Sequence, residues 1–433
     1  MPAKFFWIPI AIGCAMIFSW SVYRDIHLEK RYAGDLRNRI VGARLQQDGR
    51  SPYFYKWKNG DGFRYYDPNN FDSLQVSNIT ASPFFHVLLY PIANLPQRTI
   101  SVVWLLAEYG MLLAIIVLAL AIANNRQQQW MIVVTACLVL LTEAWKMHIG
   151  NGQNYLCLVF LAMLFYYSIR KTTWHMALLA GVCATMLLLI KPTTGIFFIP
   201  FLFLLKRYPL RWLGFCMLPL LMAGIGTVTS SRQVFLWKQY KENITQQIKL
   251  HQHESPEVQK NDPDPAFPDW EGISRQEIKR QGELFPDKIF SENGNAFVMV
   301  QQLVHQKPGK QLLAALSGCC MVLLLLTFYF IHRREGFTLT GIALVGFCMF
   351  MIADLFSPVY RHQYYAVQWL FPLLLSAAVY QPAFIKIYII LAAGLVLNII
   401  NIALLPMEHS IGEYIMLVGF IVLSLQRKTH AIQ

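Results

Sequence analysis

The 433-residue chain is 55% hydrophobic, 14% aromatic and only 14% charged, with a mean hydropathy of +0.40, whereas an ordinary soluble domain carries roughly 25% charged residues. A chain this apolar could not hide its surface in water, so it reads as a multi-span membrane protein; disordered, coiled-coil and disulfide-rich secreted classes are excluded. Its formal charge of +13, from 37 Lys and Arg against 24 Asp and Glu, would suggest nucleic acid in a soluble protein, but in a membrane protein it first reports topology.

Apolar runs lie, in chain order, at 5–23, 99–123, 131–147, 153–169, 174–190, 195–206, 210–229, 310–331, 337–355, 364–380, 384–405 and 411–426. A span needs about 20 mostly apolar residues, so these predict about twelve transmembrane helices, with 195–206 the weakest. Only helices satisfy their own backbone in lipid at this density of runs. The expected fold is therefore all-α and polytopic, one membrane-embedded domain over 1–433. The first run leaves the membrane through Trp20-Ser21-Val22-Tyr23-Arg24 without a small-x-small cleavage site, so it reads as an uncleaved span. All eight cysteines lie in apolar runs. They read as small buried hydrophobes, not as a disulfide framework or a zinc site.

With the N-terminus inside, the cytoplasmic turns hold Lys4, Arg126, Arg170, Lys171, Lys206, Arg207, Arg211, Arg333, Arg334, Lys386, Arg427 and Lys428. The short outer turns hold only Lys146, Lys191 and Arg361. This asymmetry places both termini in the cytoplasm of a plasma-membrane protein, and the topological use of the charge removes the need for a nucleic-acid partner. Two long polar segments, 24–98 and 230–309, fall outside as periplasmic loops. The second carries Asp262-Pro263-Asp264-Pro265 and then a helical-looking stretch at 273–284.

Charges in the middle of spans mark transport routes and relays. Here they are few: Glu108 and Glu143, with Asp354 near an end. Polar residues gather instead at the outer membrane surface: Asp35 with Arg37, Arg39 and Arg44; His148 with Asn151, Gln153 and Asn154; Lys191; Asn293 and Asn295; and Asp354 with Ser357, Arg361, His362 and Tyr364. An acid, several cations and amides converging on one face read either as an active site fed from the lipid or as wet loop ends.

The order of these blocks resembles glycosyltransferase family 87 of the membrane-embedded GT-C superfamily. Asp35 opens Asp35-Leu36-Arg37-Asn38-Arg39-Ile40-Val41-Gly42-Ala43-Arg44, which leads to Asp48-Gly49-Arg50-Ser51-Pro52-Tyr53. Ala81-Ser82-Pro83-Phe84-Phe85, Leu89-Tyr90-Pro91, Trp104 and Asn151-Gly152-Gln153-Asn154 follow, then Leu189-Ile190-Lys191-Pro192, Gly294-Asn295-Ala296-Phe297 and Leu355-Phe356-Ser357-Pro358 with His362 and Tyr364 beyond. Arg39 departs from the pattern, standing where an aromatic is frequent.

The resemblance implies a GT-C-like fold and a hexosyltransferase that moves a sugar, mannose being favoured, from a polyprenyl-phosphate-sugar donor to a lipid-linked or glycan acceptor at the outer face, among membrane lipids. Such a donor carries an adequate leaving group, so one base suffices, and a single carboxylate with direct displacement predicts inversion. Asp35 is the expected base, with Asp61, Asp67 and Asp72 as rivals in the same loop. His362, Arg361 and Lys191 are expected at the donor phosphate; Lys191 could instead snorkel from its helix end. Gln153, Asn154, Asn295 and Tyr364 are candidate sugar or acceptor contacts. Gln153 and Asn154 could equally cap the span they open, and Tyr364 could serve as a belt aromatic with Tyr365 and Trp369. No acidic pair has metal-ligand spacing, so neither a metal nor another cofactor is expected. The alternatives are a flippase or transporter of lipid-linked sugars, or a polymerase or ligase relying on Arg275, Arg280 and His305.

Overall fold

A computed structural model describes residues 7–29, 34–55, 61, 63–66, 79–251, 294–304, 309–357, 359, 361–400 and 408–426. Asp67, Asp72, Asn293, Arg275, Arg280, His305, Lys4, Arg427, Lys428 and the stretch 273–284 lie outside the described residues. Every regular element among those described is a helix.

The helices are α1 (Trp7–Glu29), α2 (Gly34–Gln47), α3 (Pro83–Ala93), α4 (Gln97–Leu120), α5 (Arg126–Leu140), α6 (Glu143–Asn151), α7 (Tyr155–Ile169), α8 (Trp174–Ile190) and α9 (Gly195–Phe198). They continue with α10 (Leu210–Thr229), α11 (Ser231–His251), α12 (Ala296–Val304), α13 (Lys310–His332), α14 (Leu339–Leu355), α15 (Leu370–Ala378), α16 (Ile385–Leu397) and α17 (Glu408–Ser424). Short polar residues start several of them. Ser82, Asn125, Thr142 and Thr338 each accept a backbone N–H from the first turn of α3, α5, α6 and α14, which satisfies a donor the helix itself cannot.

Among the described residues four helices are long and apolar enough to cross a membrane: α1, α4, α10 and α13, or five spans if the bent α5–α6 pair counts as one. Shorter apolar helices, among them α3, α7, α8 and α14, accompany them. Large apolar side chains stand exposed along the long helices, such as Met16 at 67%, Leu106 at 68%, Leu210 at 85% and Leu323 at 63%. Such belts are unfavourable against water and natural against lipid. The molecule is a membrane protein.

Several expected spans differ in detail. The run 131–147 is two helices bent by 64°, because Thr142 ends α5 by donating to the Val139 carbonyl (2.7 Å) and starts α6 by accepting from the Trp145 N–H (3.1 Å). The weak run 195–206 is one turn of α-helix followed by a 3-10 segment, Ile199–Arg207. The run 364–380 opens with a 3-10 segment, Gln363–Trp369, before α15. Residues 231–251, expected in a long loop, form the polar helix α11. It docks on the first polar segment: Asn243 donates to the Ile79 carbonyl (2.7 Å), and Arg232 and Ser51 meet Gln46 and Gln239.

Buried polar pins fix the bundle. Asp25 of α1 is fully buried and accepts from Ser21, Arg24, Tyr109 of α4 and Trp145 of α6. Glu108 of α4 meets His148 of α6 at 3.0 Å, both buried. Helices α16 and α17 touch backbone to backbone: a Cβ on Gly394 would lie 2.7 Å from the Gly412 carbonyl oxygen. Small residues allow this close packing where lipid supplies no hydrophobic drive.

The chain also sorts its ends. Helices α7 and α8 run about 22 and 25 Å at 1.5 Å per residue, antiparallel, from Tyr155 out to Arg170 and back to Lys191. At the far end Tyr208 donates to the Ile169 carbonyl, Trp212 to the Lys171 carbonyl, and the His332 ring meets the Ser424 carbonyl. That end therefore carries Arg170, Lys171, Arg207, Arg211 and Arg333 together. The near end gathers Asp35, Gln153, Lys191, Asp354 and Arg361.

Candidate active site

Asp35 stands in the first turn of α2, where the helix dipole favours a carboxylate. One turn on, Arg39 donates to the Gly152 carbonyl (2.9 Å) and to Gln153 Oε1 (2.5 Å). Gln153 is buried, and its Nε2 donates to Asp35 Oδ2. Arg39 thus fixes which way the Gln153 amide faces. Gly152 makes this possible: at φ 60° and ψ 51° it ends α6 in the left-handed region and turns Gln153 toward α2. Tyr364 reaches the same oxygen, its hydroxyl 3.4 Å from Asp35 Oδ2. Both donors converge on Oδ2. Among the described residues none donates to Oδ1, so one lone-pair-bearing oxygen remains available. Asp35 is partly exposed. Burial in protein raises its pKa, and Arg39, Tyr364 and Gln153 only partly offset this.

Tyrosines link this carboxylate to a charged cluster. Tyr155, the first residue of α7, lies 5.8 Å from Tyr364 and 4.4 Å from Tyr365 between ring centroids. His362 stacks on Tyr364 at 4.8 Å. Lys191 ends α8 because Pro192 follows it. Its Nζ sits 5.1–5.2 Å from the rings of Tyr155, Phe350 and Tyr365, within cation–π range, and donates to Asp354 Oδ1 at 2.9 Å. Arg361 donates through Nε to Asp354 Oδ2 (2.9 Å) and forks onto Glu413 (2.5 and 2.6 Å). Trp369 adds a bond to Glu413 Oε2 at 2.7 Å. A cavity of about 130 Å³ opens among Lys191, Thr193, Asp354, Ser357, Arg361 and Tyr365.

The structure therefore brings Asp35, Gln153, Tyr364, His362, Lys191 and Arg361 into one region. Arg361 differs from expectation: its fork is committed to Glu413 and it is 2% exposed, which leaves Lys191 as the more open cation. Asn295 caps α12, accepting from the Val298 N–H and donating to the Val359 carbonyl, both at 2.8 Å; it props the Arg361 loop. Asn154 makes no capping bond to α7, and Gln153 is spent on Asp35 and Arg39. Asp61 accepts from Tyr55 (2.5 Å). Arg39, Tyr155 and Glu413 are site residues that the sequence motifs do not single out. A lone acid inside the apolar run 411–426 was the available signal for Glu413. Among the described residues no three His, Cys, Asp or Glu side chains group as a metal site would require.

Residues 80–259 match the family model of glycosyltransferase family 87. The match indicates a glycosyltransferase. It runs from the start of α3 to beyond α11 and includes Gln153, Tyr155 and Lys191; Asp35, Asp354, Arg361 and Tyr364 lie outside it. No curated protein and no solved structure matches the chain.

Proposed function

We propose that the protein is an inverting hexosyltransferase that takes a sugar, mannose first, from a polyprenyl-phosphate donor and passes it to a lipid-linked or glycan acceptor at the outer face of the plasma membrane. One observation carries this reading: a partly exposed carboxylate, Asp35, is clamped at Oδ2 and open at Oδ1, and the stacked Tyr364 and Tyr365 join it to a cavity whose accessible cation is Lys191. Oδ1 takes the proton of the acceptor hydroxyl as that oxygen attacks the anomeric carbon. The bond from carbon to the phosphate oxygen breaks and its electrons stay on the phosphate. Lys191 and His362 stand on the side where that charge develops. Asp35 is the sole carboxylate assigned to the sugar, so displacement is direct and the product inverted. The residues assigned here need no metal.

The test is transfer from radiolabelled polyprenyl-phosphate-mannose to a crude lipid acceptor by purified protein in nanodiscs. General-base contributions run about 10²–10⁴-fold, so Asp35→Asn is expected to lose at least a hundredfold in kcat with donor KM little changed. Full transfer by that variant removes Asp35 as base. Wild-type flipping of the lipid without any transfer selects the flippase instead.

A further inference from the structure

Four charges line or back the cavity: Lys191 and Arg361 against Asp354 and Glu413. They cancel, and they are not equally fixed. Arg361 and Glu413 are each 2% exposed and joined by two short bonds, with Trp369 as a third anchor. Lys191 is 21% exposed and Asp354 10%, and their single bond borders the cavity. Glu413 alone neutralises Arg361. Asp354 is thus the surplus anion: Oδ2 rests on Arg361 Nε, whose charge Glu413 already meets, and Oδ1 on Lys191, the cation without another carboxylate partner among the described residues.

We propose that Asp354 is an exchangeable counter-ion that holds Lys191 until an anionic phosphate headgroup takes its place, and that returns to expel the phosphate product. This rests on the donor reading above. A phosphate that entered with Asp354 still on Lys191 would face a like charge and have no cation of its own in a poorly solvated site. Replacing one anion by another on the same ammonium avoids that, and it leaves the aromatic rings around Nζ undisturbed. Thr193 and Ser357 hydroxyls on the cavity wall supply further donors to phosphate oxygens. The exchange matters most after transfer. The sugar phosphodiester carries one negative charge and the released monoester up to two, so the product would hold Lys191 more tightly than the donor without a competing carboxylate.

Farnesyl phosphate and, separately, inorganic phosphate are titrated calorimetrically into the full-length protein in phosphatidylcholine nanodiscs. Asp354→Asn keeps the shape and is expected to bind farnesyl phosphate at least tenfold more tightly, and inorganic phosphate by a similar ratio if the headgroup alone is read. A gain confined to farnesyl phosphate assigns the exchange to lipid-borne phosphate. Lys191→Met is expected to lose at least tenfold, and Lys191→Met with Asp354→Asn to show no gain over Lys191→Met. Unchanged or weaker binding by Asp354→Asn overturns the proposal. So does a gain that survives without Lys191, or undiminished binding by Lys191→Met, which decides the matter even where Asp354→Asn does not fold. In the transfer assay Asp354→Asn lowers both KM and kcat, as release becomes limiting. The two readings separate cleanly. Asp35-dependent transfer with flat Asp354→Asn affinity sinks only the exchange; tighter phosphate binding without any sugar transfer sinks only the transferase.

Discussion

Asp35 shows how far one side chain can be read before any substrate is seen. Its pKa lies above the ordinary aspartate value of 3.8 because burial outweighs Arg39, Tyr364 and Gln153. For a carboxylate shifted upward, the stabilising contribution is complete below the unfolded pKa and is lost as pH rises through the folded one. At neutral pH the ionised Asp35 therefore costs stability. Asp35→Asn retains an acceptor for Gln153 and Tyr364 and carries no charge. Its melting temperature at pH 7.5 is expected to exceed that of the wild type, with the difference closing as pH falls toward 4. Thermal unfolding in nanodiscs at several pH values checks this, and a less stable variant at pH 7.5 would mean that Arg39 dominates after all. With Asp35 as the base proposed above, the same shift is expected to place the acid limb of kcat/KM above pH 3.8.

At the scale of elements, the α6–α7 junction aims the site. Gly152 occupies the left-handed region, which costs an L-residue about 1–2 kcal/mol. Gly150, two residues earlier in the helix, has open space around its would-be Cβ and an ordinary backbone. Gly152→Ala should therefore destabilise the protein by about 1 kcal/mol and lower kcat as Gln153 leaves Asp35. Gly150→Ala should be neutral or slightly stabilising. Equal effects of the two substitutions on kcat would show that the turn does not set the geometry. This junction also marks the limit of what the sequence disclosed. The apolar runs at 174–190 and 210–229 coincide with α8 and α10, because a lipid-facing helix must be continuously apolar. The break at Thr142 was invisible, since a cap made by one hydroxyl leaves no mark on hydropathy. Position and motif point to Asp35, Gln153, Lys191 and Tyr364. Arg39 looked like a departure from a pattern, and its use became plain only when α2 was laid against the end of α6. Glu413 stayed hidden because its partner Arg361 is 52 residues away.

At the scale of the whole molecule, charge and chemistry separate along the bundle. Arg170 and Lys171 lie one α7 length from Tyr155 and one α8 length from Lys191, and Tyr208 and Trp212 bind the loop that carries them. Basic turns tend to stay cytoplasmic, so the function proposed above puts the Asp35 end at the outer face, where a sugar carried on a flipped lipid would be met. Orientation can be measured without knowing any substrate. In a background lacking the eight native cysteines, Asp48→Cys on the exposed outer segment should react with a membrane-impermeant maleimide in intact cells. Lys171→Cys should react only after permeabilisation. Asp48 is suited to this because it is partly exposed, bonded to Arg64 at the surface and remote from the clamp on Asp35. Labelling of Lys171→Cys in intact cells would invert the molecule and bring the site to the cytoplasmic face, where nucleotide-activated sugars, and not lipid-borne ones, become the donors to test.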